Sequence, residues 1–160
     1  MIYNTTLLED AIKEIHSHIK IYHPQQLDML IIADRLKVTV HFQPITSRAY
    51  EGEIIIDSRL SPEQQWEDFA HELCHILLQH GNQILSLNNL LIEFLKYQEW
   101  KAHNFALHFC VPTFMLQKYE ITNISESIPL IKENFNVTYE VAEKRLNHFR
   151  NRLLESNSFL

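Results

Sequence analysis

Residues 61–81, SPEQQWEDFAHELCHILLQHG, predict the helix on which the rest of the fold depends. Ser61 provides the side-chain oxygen of an N-cap, and Pro62 suits the first helical position, where its missing N–H is not needed. A glutamine three residues after the serine completes a capping box. We expect this helix to run to about His80 and to stop at Gly81.

Two histidines on this helix have the spacing of a metal site. His71 and His75 are four residues apart, so their imidazoles leave the same face about 40° apart in projection. Two imidazole nitrogens at this spacing can share one tetrahedral Zn²⁺ at about 2.0 to 2.1 Å. Glu72 projects about 100° from His71, where its carboxylate can take a proton from an attacking water and pass it to a leaving amine. The pattern predicts metal-dependent peptide hydrolysis, with zinc expected and another divalent metal as an alternative.

A solvated helix face would explain the same residues without chemistry. A short motif is only a hypothesis until its context supports it. The polar residues on this side suit either open solvent or a polar cleft. They are Gln64, Asp68, His71, Glu72, His75 and Gln79.

The third metal ligand must come from outside this helix. The HExxHxxGxxH variant does not apply, because position 78 is leucine and position 81 is glycine. A long helical pattern follows from about residue 87 to residue 110, and it carries Glu93 and Glu99. Its apolar stripe consists of Leu91, Leu95, Ala102, Ala106 and Phe109. Glu99 lies at the edge of that stripe, where a metal would satisfy an otherwise costly carboxylate, whereas Glu93 lies on the far side. Glu99 is therefore the predicted third ligand.

The N-terminal part predicts two helices. Residues 6–9, TLLE, form a capping box that opens a helix to about Ile21, and Pro24 is placed to open a second helix through about Leu36. The predicted buried face of the second helix consists of Leu27, Leu30, Ile31 and Leu36.

The period of the sequence then changes from helical to alternating. Residues 37–42 and 53–57 alternate and are rich in β-branched side chains, and a short strand is expected around residues 48–50. We therefore predict a mostly helical α+β fold with a small antiparallel or mixed sheet. After the break at Val111-Pro112, smaller helices follow, the last beginning near Thr138.

Length and composition predict one soluble domain over residues 1–160, with N-terminal helices in 1–36 and small C-terminal helices in 112–160. No secretory signal and no stretch of roughly 18 to 20 apolar residues is evident, so we expect a cytoplasmic protein without a membrane segment.

The net charge of −6 disfavours binding to nucleic acid through phosphates. A basic cluster near the C-terminus is interpreted as a solvated face; its members are Lys144, Arg145, His148, Arg150 and Arg152.

Taken together, these motifs resemble the ImmA/IrrE metallopeptidase family. In that family a HExxH helix is followed by an ExxAnxFA helix that closes with a proline, as in the segment from Glu99 to Ala106 and then Pro112. The segment NVTYEVA at residues 136–142 is similar to the family's Val-Ser element. The resemblance covers roughly residues 35–150.

The resemblance implies a minimal zincin-like fold and a protein substrate. Family members are typically encoded with a helix-turn-helix repressor that they cleave, often in prophages and other mobile elements. The expected function is thus a zinc endopeptidase acting on such a repressor, with direct nucleic-acid binding not expected. A different class remains open, namely a non-catalytic module or antirepressor that sequesters a transcription factor.

Three residues depart from the family pattern. Cys74 replaces a usual glycine, His103 a usual asparagine, and Lys101 a frequent acid. For Cys74, ordinary packing is favoured over competition for the metal or oxidation. His103 lies four residues after Glu99, where it could orient that carboxylate or support an oxyanion. A solvent-facing or merely packed histidine fits the pattern at least equally well.

Overall fold

The computed structural model describes residues 2–85 and 102–158. In chain order the elements are α1 (Leu7–His18), a 3-10 turn (Pro24–Gln26), α2 (Met29–Leu36), β1 (Thr39–Gln43), β2 (Arg48–Tyr50), β3 (Glu53–Asp57), α3 (Pro62–Leu85), α4 (Ala102–Cys110), α5 (Thr113–Leu116), α6 (Ile124–Phe135) and α7 (Tyr139–Asn157). The predicted α+β class, mostly helical with a small sheet, is confirmed. Over these ranges no helix combines the length and apolar character needed to cross a bilayer.

Helix α1 begins as its sequence predicts. The Thr6 side chain accepts from the backbone N–H of Glu9, and the Glu9 carboxylate accepts from the N–H of Thr6, which completes the capping box. The helix ends at His18, earlier than expected, because Lys20 adopts a left-handed conformation with φ of 57°.

Helix α2 differs from its prediction. The chain forms only a 3-10 turn at the expected start, and α2 begins after Asp28, whose side chain accepts from two backbone N–H groups of the first turn. The cap at Asp28, and not Pro24, therefore sets the start of α2, because the Asp28 side chain satisfies two backbone N–H groups that have no partner within the helix. The predicted buried face is correct for Leu27 and Leu36 but wrong for Leu30 and Ile31, which are exposed.

The sheet is mixed, with strand order β1-β3-β2. β1 runs parallel to β3, whereas β2 runs antiparallel to β3 on its other side. Val40 and Ala49 both pair with Ile54, so these three side chains share the face that packs on the core. Within the part of the chain that the structure describes, β2 pairs with no strand other than β3, and its second edge is free.

Helix α3 lies across this sheet and forms the centre of the core. Ser61 and Gln64 exchange backbone-to-side-chain hydrogen bonds of 3.2 Å, as the capping box predicts. The expected stop at Gly81 is wrong, since α3 continues to Leu85. Glycine ends a helix where it takes a positive φ, and Gly81 does not.

Helix α4 packs against α3. Helix α7 is connected to α1 by a buried ion pair. Arg145 is fully buried; its Nη2 lies 3.7 Å from a Glu9 carboxylate oxygen, which also accepts a 2.6 Å hydrogen bond from Thr113. Lys144 donates a 2.6 Å bond to Glu140 one turn earlier on α7. The basic cluster is therefore not one continuous solvated face, because its central guanidinium ties α7 to α1.

Candidate active site

The two histidines of the HExxH motif face each other along α3. Their ring centres are 5.3 Å apart with an interplanar angle of 65°. An imidazole centre lies about 1 Å behind its nitrogen, so two imidazoles on one tetrahedral zinc have centres about 5 Å apart. His71 is half-buried and His75 is exposed. The distance between the ring centres is thus compatible with a divalent ion shared by the two imidazoles.

Glu72 connects α3 to the free edge of the sheet. Its Oε2 accepts a 2.8 Å hydrogen bond from the backbone N–H of Ala49, the central residue of β2. Since Ala49 donates to α3, its N–H points away from β3. The carboxylate and the free strand edge are therefore immediate neighbours.

Three apolar residues within or directly after the motif belong to the core, and they explain the orientation of its polar side chains. Leu73, Ile76 and Leu77 are buried in the central hydrophobic cluster. Burial of three positions around the motif fixes the rotation of α3 about its axis, because these side chains have one apolar face to pack against. His71, Glu72 and His75 are consequently left on the opposite side.

Cys74 also belongs to the hydrophobic cluster and is 3% exposed. Burial raises the pKa of its thiol to about 12, as expected for a cysteine packed among apolar side chains. These observations support the packing interpretation of Cys74.

The predicted third ligand, Glu99, and its rival Glu93 lie outside the described residues. Among residues 2–85 and 102–158 no group of three or more His, Cys, Asp or Glu side chains is arranged to hold an ion. Ala102 and Ala106 are buried where α4 packs against α3. Small side chains at both positions allow the two helix backbones to approach closely. The role of Glu99 remains a prediction.

A cavity of about 140 Å³ opens beside His71, between α3, α4 and the start of α7. It is lined by Glu67, Asp68, His71, His103, Ala106, Leu107 and Val141. His103 is exposed on α4 and thus borders the same cavity as His71, although its proposed supporting role stays a prediction.

Sequence reasoning did not identify Glu67, which lies one turn before His71. Its Oε1 accepts a 2.6 Å hydrogen bond from the backbone N–H of Thr138, the N-cap of α7. Burial raises the pKa of Glu67, and the neighbouring charge of Asp68 adds to this, although the bonds from Thr138 oppose it. The only sequence signal was the four-residue spacing, which places both side chains on one helix face.

Comparison with known proteins identifies a family and two relatives. The Peptidase_M78 model, described as an IrrE N-terminal-like domain, matches residues 24–147. The chain is 41% identical over 150 residues to the phage-like element PBSX protein XkdA of Bacillus subtilis (strain 168), covering 91% of this chain and 74% of that protein. It is 34% identical over 160 residues to the uncharacterized protein YqaB of the same organism, covering 97% and 91%.

The family match includes the HExxH helix, the described part of the helix that follows it, and the start of the last helix. The resemblance to the ImmA/IrrE family is thereby confirmed, and the chain belongs to the Peptidase_M78 family of IrrE N-terminal-like domains.

Proposed function

We propose that this protein is a zinc-dependent endopeptidase that cleaves a protein substrate, namely a helix-turn-helix repressor of a prophage or mobile element. The observation that carries the proposal is the placement of Glu72 between the facing His71–His75 pair and the free edge of β2. Membership in a peptidase family supports the reaction class. The name of one relative, a phage-like element protein, supports the genetic setting.

The donor set suits a divalent metal. His71 and His75 supply two imidazoles at the right separation, and we propose that Glu99 supplies the third ligand. Three protein ligands leave one position open, as catalytic zinc sites require. When bound, zinc polarises the attacking water and the scissile carbonyl.

Glu72 is proposed to carry the proton. Its carboxylate takes the proton that the attacking water loses and delivers it to the nitrogen of the departing peptide. The hydrogen bond from Ala49 fixes the direction of this carboxylate. A fixed base is efficient because the reacting groups need no rearrangement before proton transfer.

The substrate is proposed to bind as an extended segment along the free edge of β2. Strand addition uses backbone groups of an edge strand that no other strand pairs with, and side-chain pockets add specificity. The Ala49 N–H is already donated to Glu72, so the backbone group of Ala49 that remains for a substrate strand is its carbonyl. Ala49 presents a small side chain on this strand, while Arg48 and Tyr50 are exposed. A segment paired to this edge passes beside Glu72, which places its backbone next to the proposed base.

The test uses the purified zinc-loaded protein and the helix-turn-helix protein encoded beside it. We expect the wild type to cut this protein and the Glu72→Gln variant to retain zinc without cutting. Glu63→Gln, which removes the same charge from the first turn of the same helix, should cut normally. Stable binding of the repressor with no product, equal in wild type and Glu72→Gln, would instead establish the sequestering module and overturn the enzyme.

A further inference from the structure

The cavity beside His71 has the size of one side chain. Pockets for drug-sized ligands measure roughly 300 to 1,000 Å³, whereas this cavity measures about 140 Å³. It shares His71 with the proposed metal pair, so a group inside it lies directly next to the reaction centre. A side chain close to the scissile bond is the part of a peptide that can enter a space so placed.

The walls of the cavity differ in chemistry from one side to the other. Ala106, Leu107 and Val141 supply an apolar wall from α4 and α7, whereas Glu67 and Asp68 supply two carboxylates from α3. The seven lining residues include no lysine or arginine. Within residues 2–85 and 102–158 the lining is therefore acidic, with the carboxylates of Glu67 and Asp68 as its acidic groups.

The two carboxylates have different surroundings. Glu67 is occupied in fixing the start of α7, since its Oε1 accepts from Thr138 at 2.6 Å. Asp68 is half-buried. It lies three residues before His71, which directs both side chains to the same helix face. Asp68 is thus the carboxylate positioned to interact with a charged group that enters the cavity.

We propose that this cavity, on the proposed peptidase function, is the subsite for a lysine or arginine side chain next to the scissile bond, with Asp68 as the specificity-determining residue. Lysine and arginine combine an apolar stem with a charged end. The stem packs on the wall of Ala106, Leu107 and Val141, and the charged end meets Asp68. An apolar side chain in the cavity would bury the carboxylates of Glu67 and Asp68 against a surface that offers them no hydrogen bond or opposite charge, which costs free energy.

The experiment is a peptide-library digest. Peptides are prepared from a proteome as two separate pools. One pool is cut after acidic residues, so lysine and arginine remain internal, and the other is cut after lysine and arginine, so glutamate remains internal. Both pools are incubated with zinc-loaded wild type, Asp68→Asn, Asp68→Lys, Glu63→Gln or Glu72→Gln protein, and the cut sites are identified by mass spectrometry. Glu63→Gln is the matched control, because it removes a charge from α3 outside the cavity. Circular dichroism checks that each variant is folded; Asp68→Asn is isosteric.

We expect wild type and Glu63→Gln to enrich lysine or arginine at one position flanking the cut. Asp68→Asn should lower kcat/KM for a lysine-containing peptide about tenfold, the effect of losing a hydrogen bond between charged groups, and Asp68→Lys should shift the preference toward glutamate. Cuts without basic enrichment, or enrichment unchanged in folded Asp68→Asn, would overturn the subsite while leaving the peptidase intact. If wild type makes no cuts that Glu72→Gln abolishes, the proposed function fails and the subsite with it.

Discussion

The backbone N–H of Ala49 donates a 2.8 Å hydrogen bond to the Oε2 of Glu72, which joins the free edge of the sheet to the HExxH helix. The two residues are separated by 23 positions in the chain. This bond gives β2 two functions in the proposed enzyme, since the strand both orients the base and offers its edge to the substrate.

The first prediction concerns this bond. Ala49→Pro removes the donor, and because that N–H does not bond to β3, no ladder hydrogen bond is lost. We expect kcat to fall about tenfold or more, as for loss of a hydrogen bond to a charged group, with zinc content unchanged. Turnover of the repressor substrate and thermal unfolding are measured together.

Ala49→Gly is the matched control, because it shortens the same side chain but keeps the N–H. It should keep near-normal turnover. Normal turnover in a folded Ala49→Pro protein would show that the bond does not orient Glu72.

The second prediction concerns the buried pair of α1 and α7. Arg145→Met leaves Glu9 uncompensated, and breaking a buried pair typically costs roughly 3 to 5 kcal/mol. Burial by itself raises the pKa of Glu9, but hydrogen bonds from Thr113 and Tyr3 outweigh it, so the net pKa is lowered. A carboxylate with a lowered pKa stabilises the fold above its unfolded pKa and loses that contribution as the pH falls through the folded value.

Urea unfolding at neutral pH measures the free energy of unfolding for Arg145→Met. The double variant Glu9→Gln/Arg145→Met should recover part of the loss, because no buried charge then lacks its partner. Equal destabilisation in the single and double variants would mean that packing, not charge, explains the effect.

How much of this could be predicted from the sequence depends on the range of each interaction. The HExxH spacing and the capping boxes at Thr6 and Ser61 act within one helical turn, and the structure reproduces their helices. The bond between Ala49 and Glu72 depends on β2 pairing with the outer side of β3. No local pattern encodes that choice.

The errors have similar causes. Leu30 and Ile31 are apolar yet exposed, because the face of α2 that packs on the core consists of Ile32, Ala33 and Leu36. Glu67 was missed because its partner Thr138 lies 71 residues away. Tertiary contacts decide such positions.

The third prediction is a pH dependence of stability from a core histidine. Burial lowers the pKa of His16 from its ordinary 6.5 to about 4, partly offset by its bond to the carbonyl of Ile12. As the pH falls from 6.5 to 4, the unfolded chain gains a proton that the folded chain does not. The free energy of unfolding should therefore decrease over this window, by roughly 3 kcal/mol from this group.

His16→Phe tests the prediction, since a phenyl ring can keep the tilted aromatic contact with Phe109, whose ring centre is 4.4 Å away. Its stability should depend less on pH between 6.5 and 4 than that of the wild type. Part of the dependence should remain, because burial also lowers the pKa of His108 to about 4. Superimposable pH profiles for the two proteins would contradict this account.

The fourth prediction concerns Cys74. Cys74→Ala should retain zinc and cleavage, because the thiol is packed in the hydrophobic core. Its loss should cost about 1 to 2 kcal/mol of stability, the range expected for a small cavity. A large fall in zinc affinity in the folded variant would instead make Cys74 a metal ligand.

The most direct test of the central claim is zinc stoichiometry and affinity, measured on the wild type, Glu99→Gln and the matched control Glu93→Gln. We predict one tightly bound zinc per chain in the wild type and in Glu93→Gln. In Glu99→Gln the affinity should fall by more than about a hundredfold, exceeding the loss typical of residues that only support a ligand. Unchanged zinc binding in Glu99→Gln, or a loss confined to Glu93→Gln, would contradict a site formed by His71, His75 and Glu99.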